Sequence, residues 1–286
     1  YRILDDRKFY RPIDSSYLLP CDEVETDRLR HLHYMLRFAI QGNYLAPVND
    51  ILRKGASVLD LGCGPGVWSM DISENYPKSI IIGVDIALKY SKENKPDNCL
   101  FYECNLLKQL PFEDCTFEYI FIRFMGQAIE SSQWTNILSE AARILKPYGW
   151  IEWIEKDYEL HRPGPHTLEF NQRLLSLMRE NHQDTHLGLS MAKRLHEMNH
   201  LMNITSTFVS CPGGQWAGKL GQLTLQSWKA YYKSLGPLLR RSWGLSAEKY
   251  SDKLRLCWRE ANIHKTFENI HFCYAQKRNT PLFPHL

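Results

Sequence analysis

Between residues 57 and 155, short apolar runs alternate with helical segments, and this alternation constrains the fold more than any other feature. The apolar runs are SVLDL (57–61), IIIGVD (80–85), LFYE (100–103), FEYIFIR (117–123) and WIEWIE (150–155). Helical spacing separates them at VWSMDISENY (67–76), in a short stretch near 87–93 and at QWTNILSEAARIL (133–145). Strands this apolar have no wet face, so they belong in a mostly parallel sheet covered by helices on both sides. Ahead of this region, residues 1–20 read as irregular. Residues 22–41 read as a helix: Asp22 and Glu25 resemble a capping box, Leu29, Leu32, Leu36 and Ile40 share a face, and Gly42 is a stop. Beyond 156 the spacing predicts helices over 166–180, 189–199, 222–235 and 246–262 and strands over 205–210 and 265–277. Pro281 and Pro284 mark a loose tail.

The first apolar run leads into Asp60-Leu61-Gly62-Cys63-Gly64-Pro65-Gly66 and then a helix. Glycines allow a tight turn and let a ligand approach the backbone, and the helix beyond offers free N–H groups. The third glycine follows after one residue rather than two, so the dinucleotide fingerprint G-x-G-x-x-G is not met. Asp60 suits holding the loop or meeting an ammonium group. Asp85 ends the second strand, where an acid can accept both hydroxyls of an adenosine ribose; the alternative is a solvated turn residue. Asn105 ends the third strand. It either meets an adenine edge, with Leu106 on the ring, or caps the next turn.

Composition excludes several classes. A net charge of +3 argues against a nucleic-acid surface as the main feature. No stretch approaches the ~18 apolar residues of a membrane span. The eight cysteines form no C-x-x-C pair, which rules out zinc-ribbon and thioredoxin readings and suits reduced thiols inside a cell, cytoplasmic or nuclear. His31 and His33 lack metal spacing and read as structural, and Arg240-Arg241 reads as a solvated helix end. The chain starts at Tyr1 rather than Met, so the natural N-terminus and any targeting signal are expected upstream.

DLGCGPG (60–66), Asp85 after Gly83-Val84, LPFEDCTFEYIFIR (110–123) and ARILKPYGWIEWIE (142–155) together resemble the successive motifs of class I S-adenosylmethionine (SAM)-dependent methyltransferases. YLLPCDEVETDRLRHLHYML (17–36) and PGGQWAGKLGQLTLQSW (212–228) are similar to segments of fungal LaeA-like members. The resemblance implies a Rossmann-like α/β fold with a seven-stranded, mostly parallel sheet whose final strand is antiparallel. It also implies a helical cover over 1–56, a methyltransferase domain over 57–286 and a helical insertion over about 212–264. Cofactor roles fall to Asp60, Gly62, Cys63, Gly64, Gly66, Asp85, Ile86, Asn105, Leu106 and Arg123, with S-adenosylhomocysteine (SAH) as product. Two positions depart from the pattern: Asn105, where aspartate is common, and Tyr148, where glycine is common.

Aromatic faces suit a sulfonium. Tyr10, Tyr17, Trp68, Phe124, Trp153 and Trp216 are candidates to line the pocket, each with core packing as the alternative. Glu155, Asp157 and His161 follow the fifth strand and are candidate bases or substrate anchors. The fourth strand ends Ile122-Arg123-Phe124-Met125-Gly126 and lacks the Asp/Asn-Pro-Pro-aromatic tetrad of nucleobase amino-methylating enzymes. The expected acceptor is a small molecule or a protein side chain. The alternative is a SAM-binding scaffold that does not turn over and works through a regulatory protein partner.

Overall fold

The computed structural model describes residues 1–10, 17–90 and 95–279. The strands β1 (Arg2–Leu4) and β2 (Arg7–Phe9) form a hairpin, followed by helices α1 (Glu23–Ile40) and α2 (Asn49–Lys54). Then come β3 (Ser57–Leu61), α3 (Val67–Asn75), β4 (Ile80–Asp85), β5 (Cys99–Glu103), β6 (Phe117–Arg123), α4 (Trp134–Ile144) and β7 (Leu145–Lys156). The chain continues through α5 (Pro165–Glu180), α6 (Leu187–His196), β8 (Leu201–Pro212), α7 (Gly218–Ser242), α8 (Ala247–Ile263) and β9 (Phe267–Lys277).

Seven strands form one sheet in the order β5-β4-β3-β6-β7-β9-β8. The first five in that order run parallel, and β9 lies antiparallel to both β7 and β8. This is the expected mostly parallel, Rossmann-like sheet with its reversed last strand. Side chains alternate between two cores, as strand pleating requires. Tyr119 and Phe121 join Trp68, Ile72 and Leu36 on one face, while Ile120 and Ile122 join Trp134, Leu138 and Met191 on the other. A third apolar cluster lies among α5, α7 and α8.

Several details differ from the sequence reading. Residues 1–10 are not irregular: β1 and β2 flank Asp5 and Asp6, whose φ values of 50° and 59° give the left-handed pair that two-residue hairpins favour. The predicted helix near 87–93 is absent over 86–90, and its remaining residues, like 11–16 and the tail with Pro281 and Pro284, lie outside the described residues. The left-handed stop of α1 is Gln41 (φ 53°), one residue before Gly42. α7 runs on through Gly236-Pro237 to Ser242, because Leu235, Pro237 and Leu239 are buried and packing holds the turn that proline weakens.

One buried carboxylate joins the segment after α1 to the middle of the sheet. Glu152, on β7, accepts the N–H groups of Leu45 (2.8 Å) and Ala46 (2.9 Å) and the Tyr119 hydroxyl (2.8 Å). Glu152→Leu leaves these buried donors without their acceptor and should lower stability by about 2–4 kcal/mol in chemical denaturation. An unchanged midpoint would mean that the donors find other acceptors.

Candidate functional site

The strand order turns back on itself at β3, whose parallel neighbours β4 and β6 lie on opposite sides of it. Ligand sites of open α/β sheets form at the carboxyl ends of strands at such a point. A cleft opens there. Its walls come from the turn after β3, the ends of β4 and β6, the segment after β5 and one face of α1.

The glycine turn is shaped by close approach. Gly62 has φ 75°, and a Cβ there would lie 2.2 Å from Met125 Sδ. The next strand holds the turn from the side: Asp85 Oδ2 accepts the Gly64 N–H at 2.9 Å and Oδ1 accepts that of Ala87 at 2.9 Å. Burial raises the Asp85 carboxyl, and the backbone donors pull it back. Asp60 lies beneath the turn and accepts the Ser69 hydroxyl at 2.6 Å; burial pushes its carboxyl up to about 6. At the end of β6, burial lowers Arg123 to about 10, which leaves it cationic at neutral pH.

Among the expected cofactor residues, Asp60, Gly62, Cys63, Gly64, Asp85, Ile86, Asn105, Leu106 and Arg123 all line this cleft. Gly66 does not. It sits at the start of α3 with φ 72°, and a Cβ there would meet the Phe101 ring at 2.4 Å, so packing explains it. Asn105 Oδ1 accepts the Leu107 N–H at 3.0 Å, so the residue both caps its turn and borders the cleft.

Tyr10, Tyr17 and Phe124 line the cleft as expected. The other aromatic candidates do not. Trp68 stacks on Phe121 in the core at 3.8 Å, Trp153 packs on Trp134 at 4.3 Å, and Trp216 is exposed on a turn after β8. The candidate bases are also elsewhere. Glu155 is buried behind the cleft wall, where Oε1 accepts the N–H groups of Met125 (2.6 Å) and Gly126 (3.1 Å). Asp157 faces His186 Nδ1 at 3.3 Å. His161 bridges to Phe267 and meets Asn269 Nδ2 at 3.1 Å.

The sequence reading missed a wall. Glu25, Thr26, Leu29 and Leu32 of α1 line the cleft, as do Met125, Ala128 and Ile129 after β6. The apolar spacing of Leu29 and Leu32 was visible, but nothing local marks a face as covering a site rather than a core. The entry to α1 is fixed by Asp22, which accepts the Glu25 N–H at 3.0 Å and receives Arg7 through Nε (2.6 Å) and Nη2 (2.9 Å). The hairpin is tied at its other end, where Arg240 and the exposed Arg241, in the last turn of α7 as expected, pair with Asp5.

Residues 58–149 match a family described as a methyltransferase domain. The secondary metabolism regulator laeA of Aspergillus fumigatus is 32% identical over 148 residues, covering 50% of this chain and 37% of that protein. The protein-methionine methyltransferase laeA of Emericella nidulans is 30% identical over 155 residues, covering 50% and 37%. The chain thus spans less than half the length of these curated relatives. A phosphoethanolamine N-methyltransferase of Haemonchus contortus, solved with S-adenosyl-L-methionine, superposes with a TM-score of 0.51 at 16% identity, covering 90% of this chain and 59% of that one. That likeness shows the fold.

Glu155 supplies a test of the wall behind the cleft. Burial raises its carboxyl from 4.5 to about 8, so between those values the native state keeps a proton that the unfolded chain has lost, and stability falls as pH rises through this window. Glu155→Gln removes the titration. Its Tm relative to wild type should therefore climb between pH 4.5 and about 8. Parallel pH profiles for the two proteins would show that Glu155 ionises as an ordinary carboxylate.

Proposed function

Starting from a chain that carries a class I SAM-dependent methyltransferase domain and resembles LaeA-like proteins, we propose that it transfers a methyl group from SAM to a small molecule or a protein side chain. One observation carries the reading: the glycine turn, the Asp85 carboxylate and the partly buried Arg123 border a single cleft at the sheet's switch point. The residues fit the cofactor. The bare turn admits an adenosyl group, Asp85 suits the ribose hydroxyls, Ile86 and Leu106 suit the faces of an adenine, and Asp60 suits an ammonium. Bound SAM supplies a methyl group on a sulfonium that is already a good leaving group. What remains for the chain is to align a nucleophile and exclude water. Tyr10 and Tyr17 suit the covering role, and residues 1–56 with the helices of 212–264 would form the substrate cover.

The state of the carboxylates narrows the acceptor. Each one along the described lining is already engaged: Asp22 by Arg7, Glu25 by Arg28 and the Ser234 hydroxyl, Asp60 by Ser69, and Asp85 by backbone N–H groups. Such a cleft suits a nucleophile whose lone pair is free at neutral pH, since a base is needed only when a proton must leave. A thioether meets that condition, and the relative named as a protein-methionine methyltransferase supports it. Other relatives are named as regulators of secondary metabolism, which supports a regulatory setting with a protein partner. No helix among the described residues is long and apolar enough to cross a membrane. The free thiols suit a reducing, intracellular compartment, cytoplasmic or nuclear.

Asp85→Ala should weaken SAM binding by about 1–3 kcal/mol in titration calorimetry, through lost ribose hydrogen bonds. Unchanged affinity would put the ribose elsewhere. Incubation with SAM and fractionated cell extract should release SAH from wild type in at least one fraction; cofactor binding with no release in any fraction would favour a scaffold over an enzyme.

A further inference from the structure

The two edges of the sheet are not alike. β5 closes one edge and is five residues long; Glu103 ends it, Lys95 Nζ donates to the Cys99 carbonyl at 2.6 Å, and the Tyr90 ring stacks on Phe101 at 4.3 Å. β8 closes the other edge and is 12 residues long. Its sequence, LMNITSTFVSCP, contains no charged residue, and its proline stands at the very end. Soluble proteins guard sheet edges with short strands, charges, prolines, bulges or a covering element, because an open edge is a template for another strand. The bulge in β8 lies near its start, between Met202 and Thr205. From Thr205 to Cys211 the register with β9 is regular. Thr205, Ser206, Thr207, Phe208 and Ser210 are exposed, so no helix covers the middle of the strand.

In an antiparallel ladder every second residue turns its N–H and C=O away from its partner strand. Along 205–211 such groups face away from β9, and among the described residues no backbone group from outside the sheet bonds to them. The side chains of this stretch are symmetric about Phe208. Ser206 and Ser210 flank it on its own face, and the β-branched Thr207 and Val209 flank it on the other. Pairing with a second copy, antiparallel about Phe208, sets Phe208 against Phe208, Ser206 against Ser210 and Thr207 against Val209. Aromatic, hydroxyl and β-branched pairs of this kind stabilise a ladder, and an uncharged strand opposes no like charges to itself. Ser210 already donates to Asn269 Oδ1 at 2.8 Å, but its oxygen can still accept. The register also suits the backbone, since it sets outward-bonding residues opposite outward-bonding residues.

We propose that the β8 edge is a homodimer interface, in which two copies of this chain pair β8 antiparallel about Phe208 and join their sheets into one. An edge built for a different partner needs no such symmetry. The two-fold axis reverses strand direction, so the two clefts open on opposite rims of the joint sheet. β9, β7 and β6 separate β8 from β3, and no residue of β8 lines the cleft, so the interface leaves both clefts open. The pairing is independent of the SAM reading.

Sedimentation velocity of the full chain tests this. Wild type should pass from monomer to dimer as concentration rises. Phe208→Lys and Phe208→Glu each oppose like charges at the axis and should weaken self-association by at least about tenfold. An equimolar mixture of the two variants should restore the dimer, because opposite charges then meet across the axis; a disturbed fold would not be rescued in this way. Wild type that stays monomeric at every concentration, a dimer indifferent to either charge, or a mixture that associates no better than its components overturns the proposal. Should the variants fail to fold, hydrogen exchange of wild type decides. The amides of 205–211 should exchange more slowly as protein concentration rises, and exchange independent of concentration overturns the proposal.

Discussion

The bond between the Gly64 N–H and the Asp85 carboxylate joins two neighbouring parallel strands at the point where each one ends. It acts together with the Gly62 and Cys63 N–H groups, which both donate to Val84 O at 2.8 and 3.0 Å. With three glycines in five residues, the turn has few side chains to fix it, so contacts with its neighbours set its shape. Asp85 imposes it from the side, and Met125 closes over Gly62 from the direction of β6. The turn, the acid and the wall after β6 are therefore in direct contact, although they come from three separate stretches of chain.

The buried polar groups around this unit share a pattern. Glu152 and Glu155 each place a carboxylate against backbone N–H groups that no strand or helix satisfies, at residues 45–46 and 125–126. Asp60 and His33 do comparable work for Ser69 and Arg123. The irregular segments around the cleft are thus held by side-chain acceptors from the sheet and from α1. That fits a site needing fixed loops, since a loop without such acceptors would leave buried N–H groups unpaired. Glu155 near the end of β7 and Asp157 just beyond it, the candidate bases of the sequence, lie outside the cleft lining and contact other parts of the fold. Glu155 Oε1 accepts the N–H groups of Met125 and Gly126, while Asp157 Oδ1 faces His186 Nδ1.

Much of this was legible from residue order. The apolar runs marked five parallel strands: β3 and β6 are buried on both faces and show no polar alternation, while β5 lies at the edge with Leu100 and Tyr102 exposed. The glycine spacing and Asp85 marked the cleft because backbone freedom and a strand-end acid leave local signatures. The hairpin at residues 2–9 was missed although its Asp5-Asp6 turn is a local signal; short strands simply carry too few residues for alternation to stand out. Trp68, Trp153 and Trp216 could not be sorted, because an aromatic ring reads the same whether it stacks on Phe121, packs on Trp134 or lies in solvent.

The sequence alone determined the α/β class, the turn after β3 and the acid at the end of β4, because each depends on contacts or preferences spanning a few residues. Tertiary structure alone decided which side of α1 faces the cleft, that His33 meets Arg123 and Asp71, and that Glu155 lies behind the cleft wall rather than along it. Those outcomes depend on residues 30 to 90 positions apart being brought within hydrogen-bond distance. No local pattern encodes such a meeting; it arises only when the sheet has set the strand ends side by side and the helices have packed upon them.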